Sequence, residues 1–353
     1  MTNTRNYVAE RISSAQSPQR KRRTALIADL RATYLETHRD QQLRNAFELL
    51  VDEAIAEING HRVAGRVLAV HGGSGAGKSV AIRNLISSMP ELRSFDTEIG
   101  VLMPIVSLQA PSPYSLKQLG LDLLRKMGFE ARASLNSPEI WRRVRHQFKL
   151  HQTLVVHVDE VQHVLRDVDT ETTQQVRDTL KICMEGAAEE WPVSFLLSGL
   201  PTIVDFIDRE KSQQQDRRHA TIEFPPLSMP GDESVVEGIV EQIAEESAKL
   251  KVNQLKSAAF SRQLAHAARC QFGRIVDLVI YACLTAVAHN DKSLTKDHFA
   301  TVYADQYACR PEMNIFSAEN WHKISPGSPR EEDRFIDGMK ISKAKREPKH
   351  AGV

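Results

Sequence analysis

His71-Gly72-Gly73-Ser74-Gly75-Ala76-Gly77-Lys78-Ser79 fits the pattern G-x-x-x-x-G-K-[ST] from Gly72 to Ser79 without a mismatch. An apolar run, Val67-Leu68-Ala69-Val70, precedes it, and Val80-Ala81-Ile82-Arg83-Asn84-Leu85-Ile86 follows with helical spacing. Strand, glycine-rich loop and helix in that order are what a phosphate-binding loop requires. Glycines let the backbone wrap an anion, so that successive N–H groups and the start of the helix point at phosphate oxygens. In this arrangement Lys78 reaches the β- and γ-phosphates, and the Ser79 hydroxyl holds Mg²⁺. The expected ligands are therefore ATP and Mg²⁺, bound by Gly72, Gly73, Ser74, Gly75, Ala76, Gly77, Lys78, Ser79 and Val80. A chance Gly/Ser turn is the alternative, and the flanking strand, helix and Lys-Ser pair argue against it.

A second signal lies about 80 residues further on, in Leu154-Val155-Val156-His157-Val158-Asp159-Glu160. An apolar strand that ends in two carboxylates can divide the work of hydrolysis. Asp159 serves the Mg²⁺ shell, and Glu160 polarises the attacking water. His157, inside the strand, reads as a packed core histidine, and His163 is given no role. Val193–Leu197 reads as the next buried strand, and Ser198 at its end is the candidate γ-phosphate sensor. Arg217-Arg218 precede a further strand at 220–224. They are either a transition-state contact to a neighbouring subunit's site or a solvated basic pair. Gly273-Arg274, at the start of a later helix, offers a phosphate-sensing arginine within the same subunit.

Bulk composition adds limits. The chain has 353 residues, with 46 basic against 45 acidic, so total charge does not advertise a polyanionic partner. Its ends are basic, however: Arg5, Arg11, Arg20, Lys21, Arg22 and Arg23 against Glu10, and Lys340, Lys343, Lys345, Arg346 and Lys349 against Glu347. Such runs are either solvated tails or contacts to nucleic acid or a partner. Cys183, Cys270, Cys283 and Cys309 show no C-x-x-C spacing and read as reduced thiols. No apolar run approaches the roughly 20 residues of a membrane span. The expectation is a soluble, cytoplasmic protein with no membrane partner.

The pattern predicts an α/β fold in four parts. Residues 1–60 form a basic, helical N-terminal segment, helical over 24–59 and closed by Gly60. Residues 61–226 form a parallel-sheet nucleotide-binding core with strands at 66–71, 101–108, 153–158, 193–198 and 220–224. Its helices are expected at about 78–88, 115–127, 138–150, 172–189 and 201–208. Residues 227–305 form a helical lid, and 306–353 a polar, basic tail.

Taken together, the phosphate loop, Val158-Asp159-Glu160-Val161-Gln162-His163, Ser198-Gly199-Leu200-Pro201 and Gly273-Arg274 occur in the order seen in AAA+ P-loop NTPases. More narrowly the chain resembles the TniB/TnsC group of transposon-encoded ATPases, through Val106–Lys117 and through Arg217-Arg218 before Pro225-Pro226-Leu227. That resemblance covers about residues 45–305. It implies an ATPase that self-associates into a ring or helical filament on double-stranded DNA without reading sequence. Such proteins mark a target site, recruit a transposase or integrase, and disassemble when ATP is hydrolysed. It also implies a prokaryotic source and makes Arg217 or Arg218 a trans-acting finger. Ser198 departs from the usual Thr or Asn.

Two places are candidates for DNA contact. One is Lys117 with Ser112 and Ser115. The other is Arg142, Arg143 and Arg145 beside Trp141, with an exposed basic helix face and a core tryptophan as the alternative. The competing functional reading is a signalling or secretion-associated ATPase that acts on protein partners without DNA. A replication initiator is the third possibility.

Overall fold

The computed structural model describes residues 6–110, 115–130, 134–162, 170–185, 191–208 and 219–327. These form two compact units, one of residues 34–226 and the other of the described parts of 1–33 and 227–353.

The first unit is built on a parallel sheet of β1 (Val67–Gly72), β2 (Ile105–Gln109), β3 (Val155–Asp159), β4 (Ser194–Gly199) and β5 (His219–Phe224). Its spatial order is β2-β3-β4-β1-β5. Both faces are covered, so the strands read as near-continuous apolar runs and not as alternating ones. Val156 and Val158 of β3, with Phe195 and Leu197 of β4, face a core completed by α5 (Leu116–Lys126) and α6 (Ser137–Leu150). Val155, Leu196, Leu68 and Val70 face the opposite core, covered by α3 (His38–Ile55) and α4 (Lys78–Ser88). Alternation along β3 and β4 therefore puts His157, Asp159 and Ser198 on the α4 side.

Two expectations about the start of the chain change. The stretch 24–59 is not one helical segment: α2 (Pro18–Ala32) and α3 are separate helices. A capping box at Thr37 and Asp40 restarts the helix, since Asp40 accepts from the Thr37 N–H at 2.7 Å. Gly60 does not close a helix either. With Asn59 it forms the two-residue turn of a small hairpin pairing Glu57–Ile58 with His61–Arg62, both turn residues at positive φ (54° and 77°). An Asn-Gly pair is the sequence signature of that turn. The predicted strand 101–108 divides into a hairpin strand, Gly100–Leu102, and β2.

The second unit is helical. It contains α1 (Tyr7–Ser14), α2, and four later helices: Glu233–Val240, which runs on as a π-helix over Glu241–Ser247, Ala258–Ala267, Phe272–Ala288 and Lys296–Tyr307. Residues after 306 are not a polar tail throughout. Ile315 and Phe316 are buried, and Phe316 stacks 5.4 Å from Phe299. Asn314 donates to the Ala300 carbonyl at 2.7 Å. Two buried apolar side chains fold this polar stretch back, and hydrogen bonds from His266 to the Ile324 carbonyl and from Arg269 to the Pro326 carbonyl, both 2.8 Å, hold it further on. The helix Lys296–Tyr307 begins with His298, whose Nδ1 accepts the Thr295 backbone N–H and whose Nε2 donates to Asp291. Since a backbone amide can only donate, Nε2 carries the proton, and the neighbouring His289, Asp291 and His298 are explained as a helix cap.

All four cysteines are free, and among the described residues no single helix is long and apolar enough to cross a membrane. Phe47 on α3 is fully buried against the sheet, whereas Leu49, two residues on, is 58% exposed. Phe47→Ala should lower the unfolding free energy by about 3–5 kcal/mol, and Leu49→Ala by no more than about 0.5 kcal/mol. Urea titration followed by circular dichroism checks both.

Candidate active site

The phosphate loop is the link between β1 and α4. Gly75 and Gly77 lie at φ 84° and 97°, a region that costs a side chain steric strain. Gly77 caps α4, so Val80 and Ala81 donate to its carbonyl at 3.1 and 2.9 Å. Gly72 has a different reason: a Cβ there would stand 2.4 Å from the Phe224 carbonyl oxygen of β5. The loop is therefore anchored by backbone contact with the sheet edge. Arg39 of α3, buried, lies with its guanidinium over the Phe224 ring at 5.4 Å and donates to the Pro225 carbonyl at 3.2 Å. Sequence reading gave Arg39 no place, since a lone arginine in a helix carries no local signal of a cation–π partner nearly 200 residues away.

Lys78 is buried and donates to the carbonyls of Gly72 and Gly73 at 2.9 and 3.0 Å. Burial pushes its pKa below the ordinary lysine value, and Glu160 and Asp159 oppose that shift by attraction. The ammonium thus sits inside the loop with both acidic residues in its field. Ser74 and Gly75 are exposed at the loop's crest, and Ser79 is half-buried.

The carboxylates of β3 are held from three strands. Asp159 Oδ1 accepts the Ser198 hydroxyl at 2.6 Å and the Glu160 backbone N–H at 2.9 Å. Because the Ser198 proton is committed to Asp159, its oxygen accepts from His157 Nε2 at 3.3 Å. His157 Nδ1 then accepts from the Ser107 hydroxyl of β2 at 2.7 Å. The sequence Ser107–His157–Ser198–Asp159 is a single line of hydrogen bonds across β2, β3 and β4, and it fixes the neutral, Nε2-protonated tautomer. Burial pushes the His157 pKa down to about 4 against the pull of Asp159. His157 is a core histidine as expected, but one wired to the metal-site carboxylate.

Glu160 occupies a left-handed conformation, φ 59°, at the strand end. Its carboxylate accepts a hydrogen bond from the side-chain amide of Gln162. The Gln162 carbonyl in turn accepts the Leu200 N–H at 3.2 Å, and the side chain is buried. A Cβ on Gly199 would stand 2.6 Å from that Gln162 oxygen, so the glycine after Ser198 makes room for it. Gln162 couples the Glu160 carboxylate to the end of β4, a link that no local pattern in the sequence signals.

The arrangement suits a hydrated divalent cation. Among the described residues no hydrogen bond reaches Asp159 Oδ2 or the Ser79 hydroxyl, which leaves one carboxylate oxygen and one hydroxyl for it. Lys78, Asp159, Glu160 and Ser198 thus come together at the loop. Arg274 lies in the first turn of the Phe272–Ala288 helix, in the helical unit. Arg217, Arg218, Ser112 and His163 lie outside the described residues.

The remaining candidates for DNA contact lie on α5 and α6. Lys117 is in the first turn of α5, after Ser115, whose side chain caps the helix by accepting the Gln118 N–H at 3.0 Å. Arg142 and Arg143 both bind Glu139, at 2.8 and 3.0 Å, and the two guanidinium groups hold that carboxyl down to about 2. Arg145 is half-buried, and Trp141 is in the core, its indole N–H donating to the Leu116 carbonyl.

Ser198→Ala removes a donor from Asp159 and an acceptor from His157. It should raise the Mg²⁺ concentration for half-maximal hydrolysis about 10- to 100-fold, while Ser198→Thr keeps the hydroxyl and the affinity. Titrating hydrolysis with Mg²⁺ separates the two. Because the folded His157 pKa is depressed, stability should be full above about pH 6.5 and lost as pH falls toward 4. Unfolding in metal-free buffer should show a flatter profile over that window for His157→Gln than for the wild type.

Residues 61–207 match the sequence-family model for the AAA domain. No curated protein matches the chain. Among solved structures, the Aeropyrum pernix ORC2 protein in its ADPNP–ADP complexes is similar with TM-score 0.53 and 15% identity over 81% of this chain and 75% of that one. The Aeropyrum pernix ORC1 protein in complex with DNA gives 0.55 and 14% over 81% and 70%. Cdc6p from Pyrobaculum aerophilum gives 0.54 and 11% over 81% and 75%. With the loop, the carboxylate pair and the strand order already in place, the chain has the AAA+ P-loop NTPase fold of an ATP-hydrolysing enzyme, with residues 61–207 similar to the AAA domain.

Proposed function

We propose that this chain is a DNA-binding AAA+ ATPase that assembles on duplex DNA in its ATP state, marks target sites and recruits a transposase, and is released by hydrolysis. The observation that carries this reading is the hydrogen bond between Gln162 and the Glu160 carboxylate. A carboxylate oxygen engaged by an amide N–H is not free to take the hydrogen bond of an attacking water. Hydrolysis then waits on a rearrangement of Gln162 and the Leu200 segment, which an assembly can supply. The motif-level resemblance to TniB/TnsC ATPases supports the transposition role, and the fold shared with ORC1 solved in complex with DNA supports a DNA partner.

In this reading the loop amides and Lys78 hold the β- and γ-phosphates of ATP. Ser79 and Asp159 hold Mg²⁺, which supplies charge neutralisation at the phosphates. Ser198 keeps Asp159 in position, and Glu160, once free of Gln162, takes the proton of the attacking water. Arg217 or Arg218 completes the neighbouring subunit's site, and Arg274 reports on the phosphate in its own. Lys117, Arg142, Arg143 and Arg145 remain proposed contacts to the bound duplex. Source and compartment follow the same reading: prokaryotic and cytoplasmic.

Sedimentation with duplex DNA, with and without a non-hydrolysable ATP analogue, tests it. Wild-type protein should sediment with DNA only in the ATP state, regardless of sequence, and DNA should stimulate hydrolysis. Lys78→Ala should abolish assembly, whereas Glu160→Gln should cut turnover by about 10²–10⁴-fold and trap the DNA-bound state. Equal loss of DNA binding in both variants, or full ATPase activity in a dilute DNA-free monomer, would contradict the assembly switch. ATP-dependent oligomers indifferent to DNA would favour the protein-partner switch.

A further inference from the structure

We infer that the first two turns of α2 are a DNA contact that enters the major groove, with Arg20, Lys21, Arg22 and Arg23 on the phosphates of both flanking strands. The inference rests on the DNA-binding reading above and names the surface that serves it.

α2 is anchored by its second half. Leu30 is buried, and Arg31 donates to the Tyr281 hydroxyl at 3.0 Å while lying 5.8 Å over that ring. Thr33 meets Ser247 at 3.2 Å. Every residue from 17 to 25 is exposed, so the helix runs on for two turns beyond its last buried contact. Those turns carry four successive cations. Their side chains form no ion pair or hydrogen bond among the described residues, in contrast to Arg142 and Arg143 with Glu139. No acidic residue stands in the first turn, so the helix dipole works against the four charges and nothing local offsets it. An uncompensated arrangement of this kind is stabilised by an external polyanion.

Its geometry selects which polyanion. Four consecutive residues at about 100° each sweep roughly 300° of the helix circumference, so the charge is a collar and not a face. A helix lying along a single phosphate row, or on an anionic surface, uses one face. A collar is satisfied where phosphates flank the helix on both sides, as in a B-form major groove about 12 Å wide, which admits an α-helix. The contact is made by side-chain cations, not by backbone amides, and it addresses phosphates, so it is indifferent to sequence.

The test is the salt dependence of binding to a labelled DNA duplex, measured by fluorescence anisotropy on the full chain with the non-hydrolysable ATP analogue. Replacing all four by Gln should make the slope of log K against log salt shallower by about 3.6, or 0.9 for each lost phosphate contact. A variant with Arg20→Lys, Arg22→Lys and Arg23→Lys should keep the wild-type slope and melting temperature, and the Gln variant should melt no lower than either by circular dichroism. Duplex RNA, whose major groove is too narrow for a helix, should bind with a slope that the Gln variant does not alter. Wild-type binding with an unchanged slope in the Gln variant overturns this inference and leaves the functional reading standing. An equal loss of slope on duplex RNA overturns groove entry. A wild-type chain that ignores DNA, or prefers anionic phospholipid vesicles at equal phosphate, overturns both.

Discussion

The hydrogen bond from Ser198 to Asp159 is the contact on which the rest of the site depends. It ties the ends of β3 and β4 together through one oxygen of Asp159. It also sets the direction of every bond behind it. Once the serine proton belongs to Asp159, His157 must donate through Nε2 and Ser107 must donate to Nδ1. A half-satisfied buried polar network is costly, and a fully satisfied one is rigid. Here each member has its partner, so the metal-site carboxylate is fixed by three strands at once.

Around that fixed point the hydrolytic residue is held differently. Glu160 sits in a left-handed conformation and accepts from Gln162, which also takes the Leu200 amide. The strand end after Ser198 and the Glu160 carboxylate are therefore linked through one side chain. Lys78, enclosed by loop carbonyls, is attracted by both acids.

Much of this was legible in the residues. The glycines of the loop, the apolar strand ending in Asp159-Glu160 and the helix beginning at Lys78 are contiguous patterns, and the structure places them where the patterns imply. The misreadings also have local causes. Asn59-Gly60 was taken as the close of a helix although that pair favours a hairpin turn, and helical spacing continued across Thr33–Thr37 with only a capping box to mark the break. Ile315 and Phe316 were overlooked because two or three apolar residues in a polar stretch have no period to detect.

By itself the sequence determined the chemistry of the phosphate loop. Its geometry depends on φ angles that glycine alone adopts cheaply, and on neighbours within one turn of helix. Tertiary structure decided what that loop is connected to. Ser198 and Asp159 are 39 residues apart, and His157 and Ser198 are 41 apart. Arg39 and Pro225 are separated by 186. Contacts at such distances leave no periodicity in the chain, because they are set by strand order and by which face of the sheet each side chain occupies. Parallel pairing brought β1 between β4 and β5 and turned His157, Asp159 and Ser198 to the α4 side, and only there does an ordinary core histidine become part of the site.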